Sequence, residues 1–318
     1  MKITNNYLLL PNNTLNVYQS LIDMGKSSDD ALKIVNTTGF SNIRYAFPKL
    51  LSEFIFQGIK LIQKKNIEIF SKVDCVIVVS QSYDQRIPSI STRVQSKLKL
   101  KAETFCIDIM DGCAGYIKAI QLAKMLEKNG HKKALVIAGD LHSSMTINSD
   151  IGTKVLFGDG ISITTLETDE SSTYTEIFND GDNDNIISCS VKDNVINMKG
   201  FEVFKFASVV APKIINSYLD KTGQTLKSFD LVALHQASKM LVSTICRNIN
   251  YTNTLGDDFA CNEIGNIGVG SIGAWLSKID KLEKKGRLKM LAVGFGSGLS
   301  WGLASIVVDV NKNEAIYI

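Results

Sequence analysis

A repeat hidden in the sequence constrains the fold of this chain more than any other feature. Residues 73–82 and residues 229–238 share one form, a short apolar run that begins after an Asp and ends in polar residues. Such runs are typical of buried parallel strands. Each half then continues, at similar spacing, with a turn that opens a helix, a strand that ends in Gly, and a Gly-rich turn before a last strand. These segments are 111–115, 134–139 and 157–163 in the first half, and 264–268, 290–294 and 296–308 in the second.

Strands that alternate with helices at this spacing predict βα units and a mostly parallel sheet. The sequence therefore predicts an α/β protein made of two pseudo-duplicated halves, residues 1–168 and residues 169–318. In open α/β sheets, functional sites gather at the carboxyl ends of the strands. A pseudo-twofold relation would bring Cys113 and Asn266, at matching turns, together with His235, at the end of a matching strand.

The bulk composition excludes several classes of protein. The 318 residues, 45% hydrophobic and with only four prolines, suit one large unit or two closely packed halves without a flexible linker. A net charge of +3 gives no support for nucleic-acid binding. No stretch approaches the roughly 20 apolar residues of a membrane span, and no signal peptide is recognisable. We therefore expect a soluble, cytoplasmic protein.

Cys113 is the candidate nucleophile among six cysteines, at positions 75, 106, 113, 189, 246 and 261. No CxxC pair exists, so we expect no metal site. Cys113 lies on a Gly-Cys-Ala-Gly turn between an apolar run, 105–110, and a helix predicted over 116–129. Free N–H groups at the start of a helix favour a thiolate, and the flanking glycines allow another group to approach closely.

His235 and Asn266 are the candidate partners of this nucleophile. His235 ends a predicted strand, whereas His131 and His142 stand in hydrophilic surroundings that indicate the surface. Asn266, in Gly-Asn-Ile-Gly, has an alternative interpretation as a turn residue or helix N-cap. The residues alone leave that alternative open.

At this point the sequence resembles the β-ketoacyl-acyl carrier protein synthase III group of the thiolase superfamily. The resemblance begins near residue 35 and rests on eight pieces that follow the family's order at similar spacing. The pieces are TTGF (37–40), IPSI (87–90), DGCAGY (111–116), LFGDG (156–160), MKGFEVFK (198–205), LHQAS (234–238), GNIG (265–268) and GFGSGLSWG (294–302).

The resemblance implies a five-layered αβαβα fold and an enzyme that carries an acyl group on Cys113. In that family pattern, His235 and Asn266 stabilise the charge that develops when a malonyl unit loses carbon dioxide. The backbone N–H groups of Cys113 and Gly298 would form the oxyanion hole. No cofactor is expected, because acyl carrier protein or coenzyme A thioesters are the substrates.

The resemblance also implies partners. It predicts a homodimer in which Ile87 reaches the acyl pocket of the other subunit. Lys205 matches a basic residue that helps to receive the acyl carrier protein, and Lys239 adds a second positive charge for an acidic partner.

The sequence departs from the family where the coenzyme A nucleotide is clamped. Positions that carry a Trp and three Arg in the fatty-acid initiators read Lys33, Thr37, Ile151 and Met240. This loss favours a specialised synthase supplied by a carrier protein over a housekeeping initiator.

Three functions remain open on this basis. The first is decarboxylative Claisen condensation, which uses all three candidate residues. The second is an acyltransferase that moves the acyl group from Cys113 to an alcohol or amine and has less use for Asn266. The third is a non-catalytic dimer partner of a homologous synthase, against which the retained Cys113 argues.

Overall fold

The computed structural model of the chain describes residues 1–147, 149–252, 259–282, 286–309 and 313–318. The strands within these ranges are β1 Lys2–Leu10, β2 Thr14–Asn16, β3 Asn42–Arg44, β4 Cys75–Val79, β5 Phe105–Ile109, β6 Lys133–Leu141, β7 Asp159–Glu167, β8 Tyr174–Asn179, β9 Ile187–Cys189, β10 Ile196–Met198, β11 Leu231–Leu234, β12 Arg287–Gly296, β13 Ser300–Asp309 and β14 Asn313–Tyr317. The α-helices are α1 Val17–Asp23, α2 Ser28–Thr38, α3 Leu51–Lys65, α4 Ile90–Lys97, α5 Gly115–Lys128, α6 Ile151–Lys154, α7 Gly200–Thr222, α8 Lys239–Asn248 and α9 Ser271–Leu276.

The strand pairing repeats between the two halves. In the first half the order is β1-β7-β6-β4-β5, and in the second it is β8-β13-β12-β11. In the first half β7 runs antiparallel to β1 and β6, and β6 and β4 are parallel to each other. In the second half β13 likewise runs antiparallel to β8 and β12, and β12 and β11 are parallel to each other. Within the described ranges, β5 has no counterpart in the second half. The division at residue 168 stays a prediction.

The prediction of a mostly parallel sheet is wrong, because the sheet is mixed. The turn from β12 to β13 spans only residues 297–299, and so short a connection forces the two strands to be antiparallel. β7 likewise returns antiparallel beside β6. The two half-sheets meet where Lys2 and Ile3 of β1 pair with β13. β14 also pairs with β1, so that ten strands form one continuous sheet.

The helices complete five layers. α5 and α9 lie between the two half-sheets, since α5 contacts β4 and β6 on one side and β12 and β13 on the other. α3 and α4 cover the outer face of the first half-sheet, and α7 and α8 cover that of the second. This αβαβα arrangement confirms the predicted fold class. No helix in the described ranges is long and apolar enough to cross a membrane.

The central helix shows how the sequence sets this architecture. α5 buries Ile117, Ile120, Ala123 and Leu126 on one face, at the spacing that predicted it. The helix ends before Gly130, whose φ of 99° is a conformation that glycine adopts without strain. The first turn of α5 lies between the two half-sheets, and Cys113 comes just before it.

Candidate active site

Cys113 lies on the turn between β5 and α5, in a niche that only glycines leave open. A Cβ atom added to Gly296 would lie 3.1 Å from the Cys113 Sγ, and one added to Gly112 would lie 2.3 Å from the Ser297 Oγ. The Gly115 N–H donates to the Gly112 carbonyl at 2.7 Å and closes the turn. The nucleophile of the first half is thus packed against the β12–β13 turn of the second half.

Gly294 on β12 offers a test of this packing. A Cβ atom there would lie 2.7 Å from the Cys113 carbonyl oxygen and 2.9 Å from the Ala114 Cα, both backbone atoms. We expect Gly294→Ala to lower the free energy of unfolding by about 1–3 kcal/mol and to slow acylation of Cys113. Gly181→Ala is the matched control, because no atom lies within 4 Å of its added Cβ. Denaturant unfolding curves of both variants check this, and equal midpoints would contradict it.

The environment of the Cys113 thiol opposes ionisation in the resting protein. Burial raises the pKa of Cys113 far above the ordinary thiol range, and the carboxylates of Asp140 and Asp111 raise it further. Asp111 forms an ion pair with Lys118. Desolvation therefore outweighs the stabilisation of the thiolate that we expected from the N-terminus of α5. The sequence does not reveal that Cys113 is desolvated. The thiol needs a base to become a nucleophile.

His235 is built as such a base. It lies directly after β11 and is 2% exposed, with its Nδ1 3.0 Å from the Ser271 Oγ. The Ser271 hydroxyl donates its one proton to the Gly268 carbonyl at 2.7 Å. It can therefore only accept from Nδ1, so that Nδ1 carries the imidazole proton and Nε2 keeps its lone pair. Burial, and then the nearby His142, lower the pKa of His235 to about 3, which keeps the ring neutral.

Asn266 is held by both its backbone and its side chain. Its N–H donates to the Leu156 carbonyl and its carbonyl accepts from the Gly158 N–H, each at 2.9 Å. The side-chain Oδ1 accepts from the Gly268 N–H at 3.0 Å. This bond fixes which end of the amide is the oxygen, and it turns the Nδ2 donor away from Gly268. Asn266 therefore closes an Asx turn, as the turn interpretation predicts, and its role as a donor stays a prediction.

One cavity of about 240 Å³ contains all three predicted residues in its wall. Apolar side chains form most of the remaining wall: Met145, Leu156, Phe157, Ile196, Met198, Val203, Phe204 and Phe295. Gln81, Gly296 and Ser297 lie in the wall beside Cys113. The structure thus brings together a thiol, a neutral imidazole and a fixed amide donor in an apolar chamber.

The structure does not bring every predicted residue to this cavity. Gly298 is exposed and absent from the cavity wall, where Gly296 and Ser297 stand instead. Ile87 is 86% exposed and also lies outside the wall, so a contribution to a partner's pocket stays a prediction.

The residues predicted for donor binding divide in the same way. Lys205 on α7 and Lys239 on α8 are exposed. Thr37 and Met240 reach the cavity wall, whereas Lys33 and Ile151 do not.

Two residues in the wall were missed by the sequence. His142 was interpreted as a surface residue, and this is wrong, because it is 3% exposed and lines the cavity. The available signal was its place directly after a buried strand, the same relation that identified His235. Cys189 on β9 is an exposed thiol in the same wall, so Cys113 is not the only cysteine with access to a ligand.

Comparison with known families decides the identity of this arrangement. The model of 3-oxoacyl-[acyl-carrier-protein] synthase III matches residues 107–181, and the model of its C-terminal region matches residues 219–308. Together the two matches cover just over half of the chain and include Cys113, His235 and Asn266. The chain belongs to the 3-oxoacyl-[acyl-carrier-protein] synthase III family.

Relatives of this synthase III family member match over most of its length. The β-ketoacyl-[acyl-carrier-protein] synthase III of Acholeplasma laidlawii is 29% identical, over 89% of this chain and 94% of that protein. The crystal structure of the synthase III from Aquifex aeolicus has a TM-score of 0.84 at 26% identity, covering 96% of this chain and 98% of the other. A 3-oxoacyl-(acyl-carrier protein) synthase from Burkholderia xenovorans has the same fold, with a TM-score of 0.90 at 24% identity over 100% and 97% of the two chains. The fold is therefore of the thiolase type that the sequence predicted.

Proposed function

We propose that this synthase III family member is a condensing enzyme that acylates Cys113 and joins the acyl group to a malonyl-type extender. The observation that carries this proposal is the single cavity that holds Cys113, His235 and Asn266. The hydrogen bonds of His235 and Asn266 leave free the atoms that their steps use, Nε2 and Nδ2.

The first step is acyl transfer to Cys113. The lone pair on the His235 Nε2 takes the thiol proton while the sulfur attacks the thioester carbonyl of the donor. The new C–S bond forms, the C–S bond of the donor breaks, and the proton passes to the departing thiol. The Cys113 N–H is one donor to the transient oxyanion. The second donor stays the predicted Gly298 N–H, which follows directly on Ser297 of the cavity wall.

The second step is decarboxylative condensation. The bond to the malonyl carboxylate breaks, carbon dioxide leaves, and the electron pair is delocalised onto the thioester oxygen as an enolate. The Asn266 Nδ2 is the fixed donor to this oxygen. The enolate carbon then attacks the acyl carbon on Cys113 and releases the sulfur as a thiolate. One proton from solvent, delivered through the His235 Nε2, restores the thiol.

An acidic carrier protein is the donor that the surface favours. Phe201, Lys205 and Val209 recur every four residues along α7, and all three are exposed. Gly200, Val203 and Phe204 on the same helix line the cavity. Met240, next to Lys239 on α8, also lies in the cavity wall and is 46% exposed. The cavity therefore opens beside a basic and apolar face, which suits an acidic protein that delivers a tethered acyl group. No guanidinium stands at the positions of the nucleotide clamp.

Intact-mass spectrometry with a panel of acyl-carrier protein and acyl-coenzyme A thioesters tests both the function and the donor. We expect a mass increase of one acyl group, followed by release of carbon dioxide when a malonyl thioester is added. Loss of several Arg–phosphate contacts should cost coenzyme A on the order of a hundredfold in specificity constant relative to carrier protein. The preference should shrink as salt is raised. Equal use of coenzyme A thioesters would contradict the donor assignment, and no adduct with any donor would contradict the function.

Reversing the charge of Lys205 on α7 tests docking of the carrier protein separately from the reaction at Cys113. Lys205→Glu should raise the KM for carrier protein without changing the rate at which a small synthetic acyl thioester acylates Cys113. Lys60→Glu is the matched control, because Lys60 is also exposed but lies on α3 in the opposite outer layer.

The proposal includes a homodimer. β5 is the terminal strand of the first half-sheet in the described ranges, and Phe105 on it is 37% exposed. Met110, which follows β5, is 76% exposed, and Ile87 is also strongly exposed. An unpaired strand with apolar side chains is a natural place for a second copy to add. Such a partner would cover Ile87, in accord with its predicted role.

A further inference from the structure

Two carboxylates are completely buried behind the active site. Asp140, at the end of β6, is 0% exposed, and its Oδ1 accepts hydrogen bonds from the turn after β4: the Ser80 Oγ at 2.8 Å, the Gln81 N–H at 2.6 Å and the Ser82 N–H at 3.1 Å. Its Oδ2 is equally buried but accepts no hydrogen bond. Asp159, at the start of β7, is also 0% exposed and accepts from the N–H groups of Ser143 and Ala46.

No Lys or Arg in the described ranges forms an ion pair with either carboxylate. Burial raises the pKa of Asp159, and hydrogen bonds from Ser143 and Ala46, together with the nearby His142, act in the opposite direction. An uncompensated buried carboxylate is costly, so buried charges are nearly always paired. His142 faces Asp140 and is close enough to Asp159 to act on its pKa.

The His142 ring is fixed so that one nitrogen must face a carboxylate. Its Nδ1 lies 3.0 Å from the Gly158 carbonyl, which only accepts, so Nδ1 carries a proton. Its Nε2 lies 3.7 Å from the Asp140 Oδ2, the oxygen that has no partner. Two bare acceptors facing each other in a buried site would repel, whereas a second proton on the ring turns the contact into an attraction.

The same ring touches the loop that carries the catalytic groups. A Cβ atom added to Gly268 would lie 2.7 Å from the His142 Cε1, and the φ of +55° at Gly268 also favours glycine. Gly268 donates its N–H to Asn266 and accepts the Ser271 hydroxyl that orients His235. The ring also packs on Phe157, with centroids 4.8 Å apart.

We propose that His142 is a positioning residue of this active site, held as an imidazolium by Asp140, and that its charge acts together with burial to keep His235 neutral. This inference rests on the proposed function. The His142 charge acts on His235 because both rings line the same cavity and both lie at the Gly268 turn, His142 by direct contact and His235 through Ser271. A positive neighbour disfavours a proton on His235, so that the Nε2 lone pair stays free and a proton taken from Cys113 passes on quickly to the departing thiolate.

The chain has three histidines, so nitrogen NMR of the full-length protein labelled with ¹⁵N-histidine tests the proposal directly. His131→Gln and His142→Gln assign the signals. At pH 7 we expect both His142 nitrogens to show imidazolium shifts and His235 to show a neutral ring protonated at Nδ1. A neutral His142 at pH 7 would overturn the proposal. Because no thioester is added, this outcome is independent of whether the enzyme condenses.

The pH dependence of acylation distinguishes an electrostatic role from a purely structural one. Without the neighbouring charge, the His235 pKa rises, so the acidic limb of the rate of Cys113 acylation in His142→Gln should move up by about one pH unit. A purely structural role would lower the rate by the same factor at every pH, and that result would overturn the proposal. His131→Gln, outside the cavity wall, is the control whose profile should match the wild type.

Discussion

Replacing Cys113 with alanine should abolish covalent acylation and lower the condensation rate by on the order of 10³-fold or more. Removing the nucleophile of a coupled constellation leaves only the binding and oxyanion contributions to catalysis. Stability should change little in comparison, because the substitution removes a single sulfur atom from a side chain in the cavity wall. Intact-mass spectrometry with the donor that labels the wild type gives the readout.

Cys189 supplies the matched control for this experiment. It is an exposed thiol in the wall of the same cavity, so an alkylating reagent will reach it even where Cys113 is protected. Cys189→Ala should retain the acyl adduct, and Cys113→Ala should lose it. An adduct that persists in Cys113→Ala but disappears in Cys189→Ala would reverse the assignment. Acyl donors are more informative than iodoacetamide here, since burial and two carboxylates hold the Cys113 thiol protonated.

The fold followed from the sequence because the repeat encodes local patterns. The apolar runs at 73–82 and 229–238 became β4 and β11, and the apolar face over 116–129 became α5. Because Cys113 and His235 lie near strand ends at equivalent points of the repeat, the sequence predicted that they meet. In the structure both line one cavity. Each of these inferences depends on periodicity or spacing, which the sequence contains directly.

The rest depends on contacts between distant segments, which the sequence does not display. His142 has polar neighbours in sequence, yet it is buried because Gly158 and Gly268 from other segments close over it. The raised pKa of Cys113 comes from burial and from Asp140, 27 positions away. Antiparallel pairing of β7 and β13 was hidden because apolar runs look alike in either direction. The sequence therefore predicts which groups meet more reliably than their protonation states.

Asn266 separates condensation from simple acyl transfer, and substituting it should have the second large effect. We expect Asn266→Ala to lower the rate of carbon dioxide release by about 10²–10³-fold, the usual loss for one preorganised donor to a developing oxyanion. Acylation of Cys113 should fall much less, because that step uses His235 and backbone donors. Both half-reactions are measured on one preparation, by carbon dioxide release and by intact mass. An acyltransferase would keep most of its activity in this variant.

Asn266→Asp tests the Nδ2 donor separately from the hydrogen bond to the Gly268 loop, both of which Asn266→Ala removes. The Asn266 Oδ1 accepts the Gly268 N–H, so alanine also releases the loop that orients His235. Aspartate has nearly the same shape and keeps that acceptor, but it replaces the Nδ2 donor with a charged oxygen facing the enolate. Decarboxylation should therefore be lost at least as completely as in Asn266→Ala, while acylation stays closer to the wild type. Asn262→Ala, at an exposed position on the same segment, should leave both half-reactions unchanged. If Asn266→Asp still released carbon dioxide at the wild-type rate, Asn266 would act only through the loop, and the condensing assignment would lose its specific donor.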